Sequence, residues 1–238
     1  MHRLALFFAR FSVVISPFFY IHRMQIKQFV FNPFGVNAYV LSNGAGDSIL
    51  VDPSVSDERE RSALAAYIKD AGLKVCRVLN THLHLDHVLG NAFVERTYGV
   101  KAEAHEADTF LLGLQKEQGD MFGLPFDDPA PALGGFLADG DTVEVPGIQL
   151  RVIHVAGHSP GGLAFYCENA GDDGEDVPVL FSGDILFAGS RGRSDLYGGD
   201  ENALVSGIKS KILTLPGNTV VLPGHGPFTT VDNEKMWF

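Results

Sequence analysis

Thr81-His82-Leu83-His84-Leu85-Asp86-His87 follows the apolar run Val75 to Leu79 and places three imidazoles and one carboxylate within six residues. An apolar core disfavours such a cluster, because buried polar groups without partners cost free energy. Neutral imidazole and carboxylate are ligands that zinc, iron and manganese take in proteins. If a strand ends near Leu79, the stretch forms a loop and the first turn of a helix, where ligands can converge. It therefore predicts a metal site, the alternative being a chance cluster on a solvated loop.

Three later segments each set one histidine or aspartate among glycines. They are Gly157-His158-Ser159-Pro160-Gly161-Gly162, Ser182-Gly183-Asp184 and Pro223-Gly224-His225-Gly226. Each follows an apolar run, and loops at the strand ends of a rigid sheet are where α/β proteins place functional side chains. Glycine lets the backbone turn sharply and lets an ion approach closely. One such pair would mean little, but the ordered set of four segments predicts a shared metal site.

These four segments, together with Gly192-Arg193-Ser194-Asp195, resemble the metallo-β-lactamase superfamily, and within it the short glyoxalase II-like hydrolases. The resemblance covers Met24 to the C-terminus. It implies an α/β fold of the four-layer αββα type and two metal ions per chain, expected to be Zn²⁺, with iron or manganese as alternatives. By position it implies that the first ion is held by His82, His84 and His158, the second by Asp86, His87 and His225, and that Asp184 bridges them.

The resemblance also implies a hydrolytic mechanism. Two dications about 3.5–4 Å apart can share a bridging hydroxide, because bound zinc lowers the pKa of water to about 7. Asp86 is expected to act as the catalytic residue that both ligates and aims this hydroxide. The sequence shows no separate general acid, so a good leaving group such as a thiolate is expected. The expected partner is therefore a small-molecule thioester, similar to a hydroxyacylglutathione.

The choice of thioester is less constrained. Full-length glyoxalase II continues into a C-terminal helical domain that helps to hold glutathione, whereas this sequence ends soon after Gly226, so that domain is expected to be missing. The loop after Asp184 also departs from the glutathione-binding pattern. Arg191 and Arg193 in this loop have two interpretations, since they can pair with a substrate carboxylate, or Arg193 can form a structural pair with Asp195.

The main alternative function is a persulfide dioxygenase, which uses one iron held by two histidines and one aspartate. Positions such as His82, His158 and Asp184 can supply these ligands. Ligand count does not separate it from a hydrolase. A β-lactamase or lactonase is less favoured, and a nuclease less again. A non-catalytic, metal-stabilised binding module would be marked by a broken ligand set, and the set here is complete.

Composition limits the class of protein. The 238 residues, with 45% hydrophobic residues and 27 glycines, fit one globular domain with many tight turns. A net charge of −11 argues against a nucleic-acid partner, because phosphate contacts need a basic face. Cys76 and Cys167 form no C-x-x-C motif and are expected to be free, buried thiols in a reducing, cytoplasmic compartment. The oligomeric state is not predicted.

Residues 1–23 differ from the rest of the chain. Leu4 to Ile21 is apolar, but Arg10 and Pro17 interrupt it, and arginine in mid-span is costly for a transmembrane helix. A signal peptide would end in a small-residue cleavage site, which is not seen here. We therefore expect a hydrolase domain over 24–238 that starts at Met24, with 1–23 an upstream extension of the reading frame and no stable membrane association. A membrane anchor or export signal is the alternative.

Alternating and apolar runs predict ten strands. They are Gln25–Phe31, Asn37–Leu41, Ser48–Val51, Val75–Leu79, Val100–Glu103, Thr142–Val145, Ile148–Val155, Leu163–Cys167, Val179–Phe181 and Val220–Leu222. Helices are predicted from a cap at Ser56 or Asp57 through Asp70, and over Val88–Tyr98, Glu106–Gln118 and Glu201–Leu213. Alternation alone also allows a doubly wound sheet, so the sandwich rests on the resemblance.

Several polar residues outside the seven have predicted roles. Asp52, which ends the third strand, is expected to support a histidine ligand, as the family implies. His105 is expected to lie at the surface or cap a helix, and His154 to lie on a strand near the site. Gly119–Gly140 is predicted to be an irregular connection with interleaved aromatic residues, either a lid or a packed loop. The acidic segment Gly171–Asp176 is expected to be a solvated turn.

Overall fold

A computed structural model describes residues 24–124, 128–170 and 177–238. The predicted leader at 1–23 lies outside these residues, as do Pro125 and Phe126 of the long connection and the acidic turn at 171–176. None of the described helices combines the length and the apolar character that a membrane crossing requires.

The first half of the chain forms a six-stranded sheet whose strands follow chain order. These strands are β1 Gln25–Phe31, β2 Val36–Ser42, β3 Asp47–Val51, β4 Lys74–Leu79, β5 Ala102–Ala104 and β6 Gly135–Phe136. The first three pair antiparallel, and β3 to β6 pair parallel. Helix α1, Glu58–Asp70, crosses from β3 to β4, and Asp57 rather than Ser56 caps it by accepting a hydrogen bond from the Glu60 amide.

The second half forms another six-stranded sheet and a separate small hairpin. The strands are β7 Thr142–Val145, β8 Ile148–His154, β9 Leu163–Cys167, β10 Val179–Gly183, β11 Leu186–Phe187, β12 Ser190–Arg191, β13 Val220–Pro223 and β14 Thr229–Thr230. The sheet order is β14-β13-β10-β9-β8-β7, and β11 pairs with β12 alone. Only the β10–β13 pair is parallel among these described strands. The sequence predicted neither the hairpin nor β14.

The two sheets face each other across a shared apolar core. Strand side chains of both sheets meet in it, including Tyr39, Ile49 and Val51 of the first sheet and Phe165 and Phe181 of the second. The outer face of the first sheet packs against α1, and that of the second against the helices of the C-terminal region. The four-layer αββα prediction is therefore confirmed, and the doubly wound alternative is wrong, because two separate sheets bury their inner faces against one another.

The remaining helices are shorter than predicted. They are α2 Leu85–Val88, α3 Asn91–Tyr98, α4 Thr109–Leu112, α5 Gln115–Phe122, α6 Glu201–Gly207 and α7 Val231–Glu234, with a 3₁₀ turn at Glu106–Asp108 and a π-helix at Ile208–Ile212. Each of the three long helices predicted after α1 is thus divided. In the last of them the bonding shifts to i→i+5, as the Leu213 amide donates to the Ile208 carbonyl.

Other boundaries also differ from the prediction. The long connection is less irregular than predicted, because α5 continues to Phe122 and Gly135–Phe136 joins the sheet edge as β6. The fifth strand is Ala102–Ala104 rather than Val100–Glu103. Both cysteines are free as predicted, but only Cys167 is fully buried, while Cys76 is half-buried.

Gly90 lies between α2 and α3, where the chain passes close to Pro53. A Cβ atom at this position would lie 1.6 Å from the carbonyl oxygen of Pro53, so only glycine permits this contact. We expect Gly90→Ala to destabilise the protein by about 3 kcal/mol through overpacking and to lower Tm by about 6–12 °C. Thermal denaturation followed by circular dichroism measures the shift. Gly44→Ala is the matched control, because a Cβ there meets no atom within 4 Å, and an equal shift in both variants would contradict the explanation.

Candidate metal centre

The seven predicted site residues come from four loops that meet at one end of the two sheets. His82 and His84 follow β4, and Asp86 and His87 lie in the short helix α2. His158 lies between β8 and β9, Asp184 follows β10, and His225 follows β13. The structure brings all seven side chains together, although one contacting pair, His87 and His225, lies 138 positions apart along the chain.

Three histidines form the first group. The Nδ1 atom of His84 lies 2.9 Å from Nε2 of His158, which lies 3.1 Å from Nε2 of His82. All three side chains are buried, and one nitrogen of each lies within 4.8 Å of the others. This spacing permits one ion to contact all three nitrogens.

A second group adjoins the first. The Nε2 atom of His225 lies 3.4 Å from Nε2 of His87 and 3.4 Å from Oδ2 of Asp86. Asp184 lies between the two groups, with Oδ1 3.4 Å from Nε2 of His87 and Oδ2 3.6 Å from Nε2 of His158. Its two oxygens therefore face both groups, as a bridging carboxylate requires.

Hydrogen bonds orient four of the five imidazoles. The Nδ1 atoms of His158 and His225 lie 2.7 Å and 3.1 Å from backbone carbonyl oxygens, which can only accept a hydrogen bond. The Nδ1 atom of His87 faces a carboxylate oxygen of Asp52 at 3.0 Å. We therefore assign the proton of each neutral ring to Nδ1, which leaves the Nε2 lone pair directed into the pocket.

The Thr81 hydroxyl, which lies between Asp52 and His82, orients the His82 ring in the same way. The Thr81 hydroxyl donates to Oδ2 of Asp52 at 2.7 Å, so its oxygen accepts a hydrogen bond from Nδ1 of His82 at 3.1 Å. The Nε2 lone pairs of His82 and His158 then face each other at 3.1 Å. Two lone pairs at this distance repel unless a cation lies between them. The donor set of this structure therefore fits a metal ion.

Asp52 has the supporting position that the sequence predicted. Its Oδ2 atom contacts the Thr81 hydroxyl and Nδ1 of His87. Its Oδ1 atom accepts a hydrogen bond from the Thr81 amide at 2.8 Å. Its backbone has φ +47°, a left-handed conformation that costs a non-glycine residue on the order of 1–3 kcal/mol. The surrounding hydrogen bonds hold this strained conformation, which aims the carboxylate at His87.

Burial and charge set the protonation of the first group. Burial, followed by the neighbouring imidazoles, lowers the pKa of His82 well below its usual value. The same burial, with His158 beside it, lowers the pKa of His84 to about 3. Both rings are therefore neutral near pH 7, which is the form that binds a metal.

The carboxylates shift the second group in the opposite direction. Burial alone lowers the pKa of His87, but Asp86, Asp184 and Asp52 together raise it well above its usual value. For Asp184 burial raises the pKa, yet the neighbouring His87, His158 and His225 bring the net pKa well below the usual range. This side of the pocket therefore attracts a cation, and a metal ion that binds there displaces a proton from His87.

The family follows from the sequence as a whole. A family model described as the metallo-beta-lactamase superfamily matches residues 31–225. The chain belongs to the metallo-beta-lactamase superfamily.

Relatives within this superfamily have different activities. Hydroxyacylglutathione hydrolase GloC of Haemophilus influenzae is 31% identical over 213 residues, which cover 89% of this chain and 95% of that protein. The crystal structure of BLEG-1 B3 metallo-beta-lactamase has a TM-score of 0.78 at 32% identity and covers 89% of this chain and 97% of that one. TTHA1623 in a di-iron-bound form has a TM-score of 0.72 at 34% identity and covers 88% and 96%. The chain therefore shares the metallo-hydrolase fold, which by itself specifies neither the substrate nor the metal.

Sequence reasoning missed three residues that support the candidate metal centre. Asp108 is fully buried and binds the loops that carry the first group. Gln118 accepts a hydrogen bond from the Leu85 amide at 3.0 Å, and Asn37 donates to the carbonyls of Pro223 and Gly226 at 2.9 Å and 3.0 Å. These contacts hold α2 and the His225 loop in place. No local pattern marks these three residues, because their partners are distant in sequence.

Among the described residues, two further histidines lie together outside the seven. His105 caps the 3₁₀ turn by accepting a hydrogen bond from the Ala107 amide, which confirms its predicted capping role. Its ring stacks on that of His154 at 4.2 Å. His154 lies on β8 as predicted, and its Nε2 atom is 2.8 Å from the Pro160 carbonyl in the loop that carries His158. Neither histidine belongs to the groups that can hold an ion.

Proposed function

We propose that the protein is a metal-dependent thioester hydrolase of the glyoxalase II type. The observation that supports it is that seven donor atoms form two adjoining groups joined by one carboxylate. In this proposal His82, His84 and His158 hold one ion, Asp86, His87 and His225 hold a second, and Asp184 contacts both. The ions proposed are Zn²⁺, with iron or manganese as alternatives that the nitrogen-rich donor set also suits.

Each residue has a specific role in the proposed hydrolysis. Bound dications would supply a Lewis acid for the thioester carbonyl and lower the pKa of a water molecule to about 7. Asp184 fixes the separation of the two groups, since its oxygens contact both His87 and His158. Asp86, whose side chain is 21% exposed, would orient the attacking water.

The leaving group follows from the remaining residues. The seven histidine and aspartate side chains that meet in the pocket are all assigned to the ions, so none of these seven is left to donate a proton to the leaving group. A thiolate leaves without one, whereas an amine does not. This favours a thioester over an amide substrate.

Cations beside the pocket are already paired. Arg193 forms two hydrogen bonds with Asp195, at 2.6 Å and 2.8 Å, which supports the structural interpretation of this residue. Arg191 pairs with Glu201. Neither guanidinium is therefore free to recognise a substrate carboxylate, so recognition of a glutathione-like group would rely on other contacts.

Aromatic side chains offer such contacts beside His225. Phe34, whose carbonyl accepts the hydrogen bond from His225, packs edge-on against Phe122 at 5.3 Å, and both rings are partly exposed. On another side, the Phe187 ring lies 6.2 Å from the His225 ring. The proposed substrate therefore carries an apolar group that lies against this aromatic rim.

A thioester panel on the metal-loaded enzyme tests the proposed function. We expect hydrolysis of S-lactoylglutathione or of thioesters with larger apolar groups, with release of one thiol per turnover. The alternative persulfide dioxygenase would instead consume oxygen when given glutathione persulfide, and it would need one iron ion. Thiol release by the zinc enzyme without oxygen uptake supports the proposal, and oxygen uptake by the iron enzyme without thioester cleavage would replace it.

Phe34→Ala tests the aromatic rim. The change removes the ring but keeps the backbone carbonyl that orients His225, so we expect KM to rise about tenfold, equal to about 1.4 kcal/mol, while kcat changes little. Steady-state kinetics with the best thioester of the panel measures both constants. Val30→Ala, an exposed apolar position on the same hairpin, is the matched control. A fall in kcat with unchanged KM would contradict a role in substrate binding.

A further inference from the structure

Asp108 is a buried carboxylate that the proposed mechanism does not use. It is 0% exposed and lies in the 3₁₀ turn Glu106–Asp108, outside all four loops of the metal centre. Its Oδ2 atom accepts hydrogen bonds from the Leu83 amide at 3.2 Å and the Ser159 hydroxyl at 2.8 Å, and its Oδ1 atom accepts one from the Gly161 amide at 2.5 Å. Burial of a charge is costly, so a carboxylate kept here needs an explanation.

The three donors lie beside the ligands of the first group. Leu83 lies between His82 and His84, so its amide belongs to the loop that presents both rings. Ser159 follows His158 directly, and Gly161 comes after Pro160 in the same loop. One carboxylate therefore joins the two loops that supply all three histidines of the first group, although 51 residues separate it from Ser159 in the sequence.

The fit around this carboxylate is tight. A Cβ atom on Gly161 would lie 2.7 Å from Cγ of Asp108, so glycine is required for the approach. A carboxylate can accept all three hydrogen bonds, whereas an asparagine amide must turn its NH₂ group toward at least one of the donors. The site is therefore specific for aspartate by both space and hydrogen bonding.

The second group is supported by residues other than Asp108. Asp52 orients His87, Gln118 holds the start of α2, and Asn37 holds the His225 loop. Asp108 has no hydrogen bond to these loops other than the one to Leu83. A change at Asp108 should therefore act on the first group more than on the second.

We infer that Asp108 is a positioning residue that sets the separation of the His82–His84 loop from the His158 loop, and thereby the affinity of the first metal position. The inference rests on the proposed two-ion centre. Partners that orient metal ligands change metal affinity by roughly 10–100-fold when they are removed. Asp108 acts through the backbone of both loops rather than through one imidazole.

Single-site variants separate the two positions. His225→Ala leaves the first group complete, and His84→Ala leaves the second complete. Co²⁺ is titrated into each protein and followed by its visible absorption in competition with a chelator. We expect Asp108→Asn to weaken Co²⁺ binding roughly 10–100-fold in the His225→Ala protein and to change it less than about threefold, under 0.7 kcal/mol, in the His84→Ala protein.

Two further variants control for stability. Gln115 is a buried polar residue of α5, and in the described structure its side chain hydrogen-bonds only to Leu112 and Ala130. Gln115→Ala should therefore leave both affinities unchanged. Ser159→Ala removes one of the three hydrogen bonds and should weaken the first position by a smaller factor. If Asp108→Asn does not fold, Ser159→Ala is measured instead in the His225→Ala and His84→Ala proteins.

The outcomes are distinct. Selective loss in the His225→Ala background supports the inference. Equal loss in both backgrounds, no loss in either, or the same loss from Gln115→Ala would overturn it and leave Asp108 a general structural residue. Wild-type protein that binds no Co²⁺ would overturn the two-ion centre itself, whereas normal wild-type binding with unchanged variants would overturn only the role of Asp108.

Discussion

Asp184→Asn is expected to lower kcat/KM by roughly three orders of magnitude, equal to about 4 kcal/mol of activation free energy. The reason is that Asp184 is the one residue whose oxygens face both groups, with Oδ1 near His87 and Oδ2 near His158 and His225. Asparagine keeps the shape but loses the charge and one acceptor oxygen. We also expect the bound metal to fall from two ions per chain to one or fewer, as measured by elemental analysis of the purified protein.

Asp120→Asn is the matched control for this change. Asp120 is an exposed carboxylate that pairs with Lys116 on α5, so its neutralisation alters net charge equally without touching the pocket. Its activity and metal content should match those of the wild type. If Asp184→Asn retained both ions and near-normal kcat/KM, the bridging assignment would be wrong.

Removal of metal by a chelator is expected to abolish hydrolysis and to lower Tm strongly. Without a cation, the lone pairs of His82 and His158 face each other at 3.1 Å and Oδ1 of Asp184 is buried without a hydrogen-bond partner. An ion present at a thousandfold excess over its Kd stabilises the native state by about 4 kcal/mol. For a domain of this size each ion should therefore raise Tm by about 8–16 °C. Differential scanning calorimetry of the metal-loaded and metal-free protein measures the shift.

Restoration by different ions provides the control for metal removal. Zn²⁺, Mn²⁺ or ferrous iron should restore both Tm and thioester hydrolysis, because imidazole nitrogens suit these ions. Mg²⁺ should restore neither, since it prefers oxygen ligands in an octahedral arrangement. Full activity of the metal-free enzyme, or equal rescue by Mg²⁺, would contradict the proposed centre.

The strands could be predicted from sequence because each depends on a local pattern. Gln25–Phe31 and Leu163–Cys167 have the predicted bounds, since their residues both favour strands and end at turn residues. The helices were harder, because their ends depend on distant contacts. Gly90, which lies between α2 and α3, lies close to the Pro53 carbonyl, and a pattern of apolar residues does not reveal this contact.

The same difference between local and distant information applies to the site. The convergence of the seven side chains could be predicted because each lies in a short motif, and three of these motifs set a histidine or aspartate among glycines. Asp108 lies in a segment that reads as an ordinary acidic helix start, and Asn37 in an ordinary strand. The partners described above are 25 to 189 positions away, so only the folded chain reveals what they do.

The division of the pocket between the two halves of the chain has a consequence for unfolding. Four of its seven side chains come from the half that builds the first sheet and three from the half that builds the second. An ion held as proposed would be a reversible cross-link, comparable to a disulfide. It would link chain segments as far apart as those of His87 and His225, which are separated by 138 positions in the sequence. Such long loops are the costliest to close, so the sheets would separate only after the ion had been released.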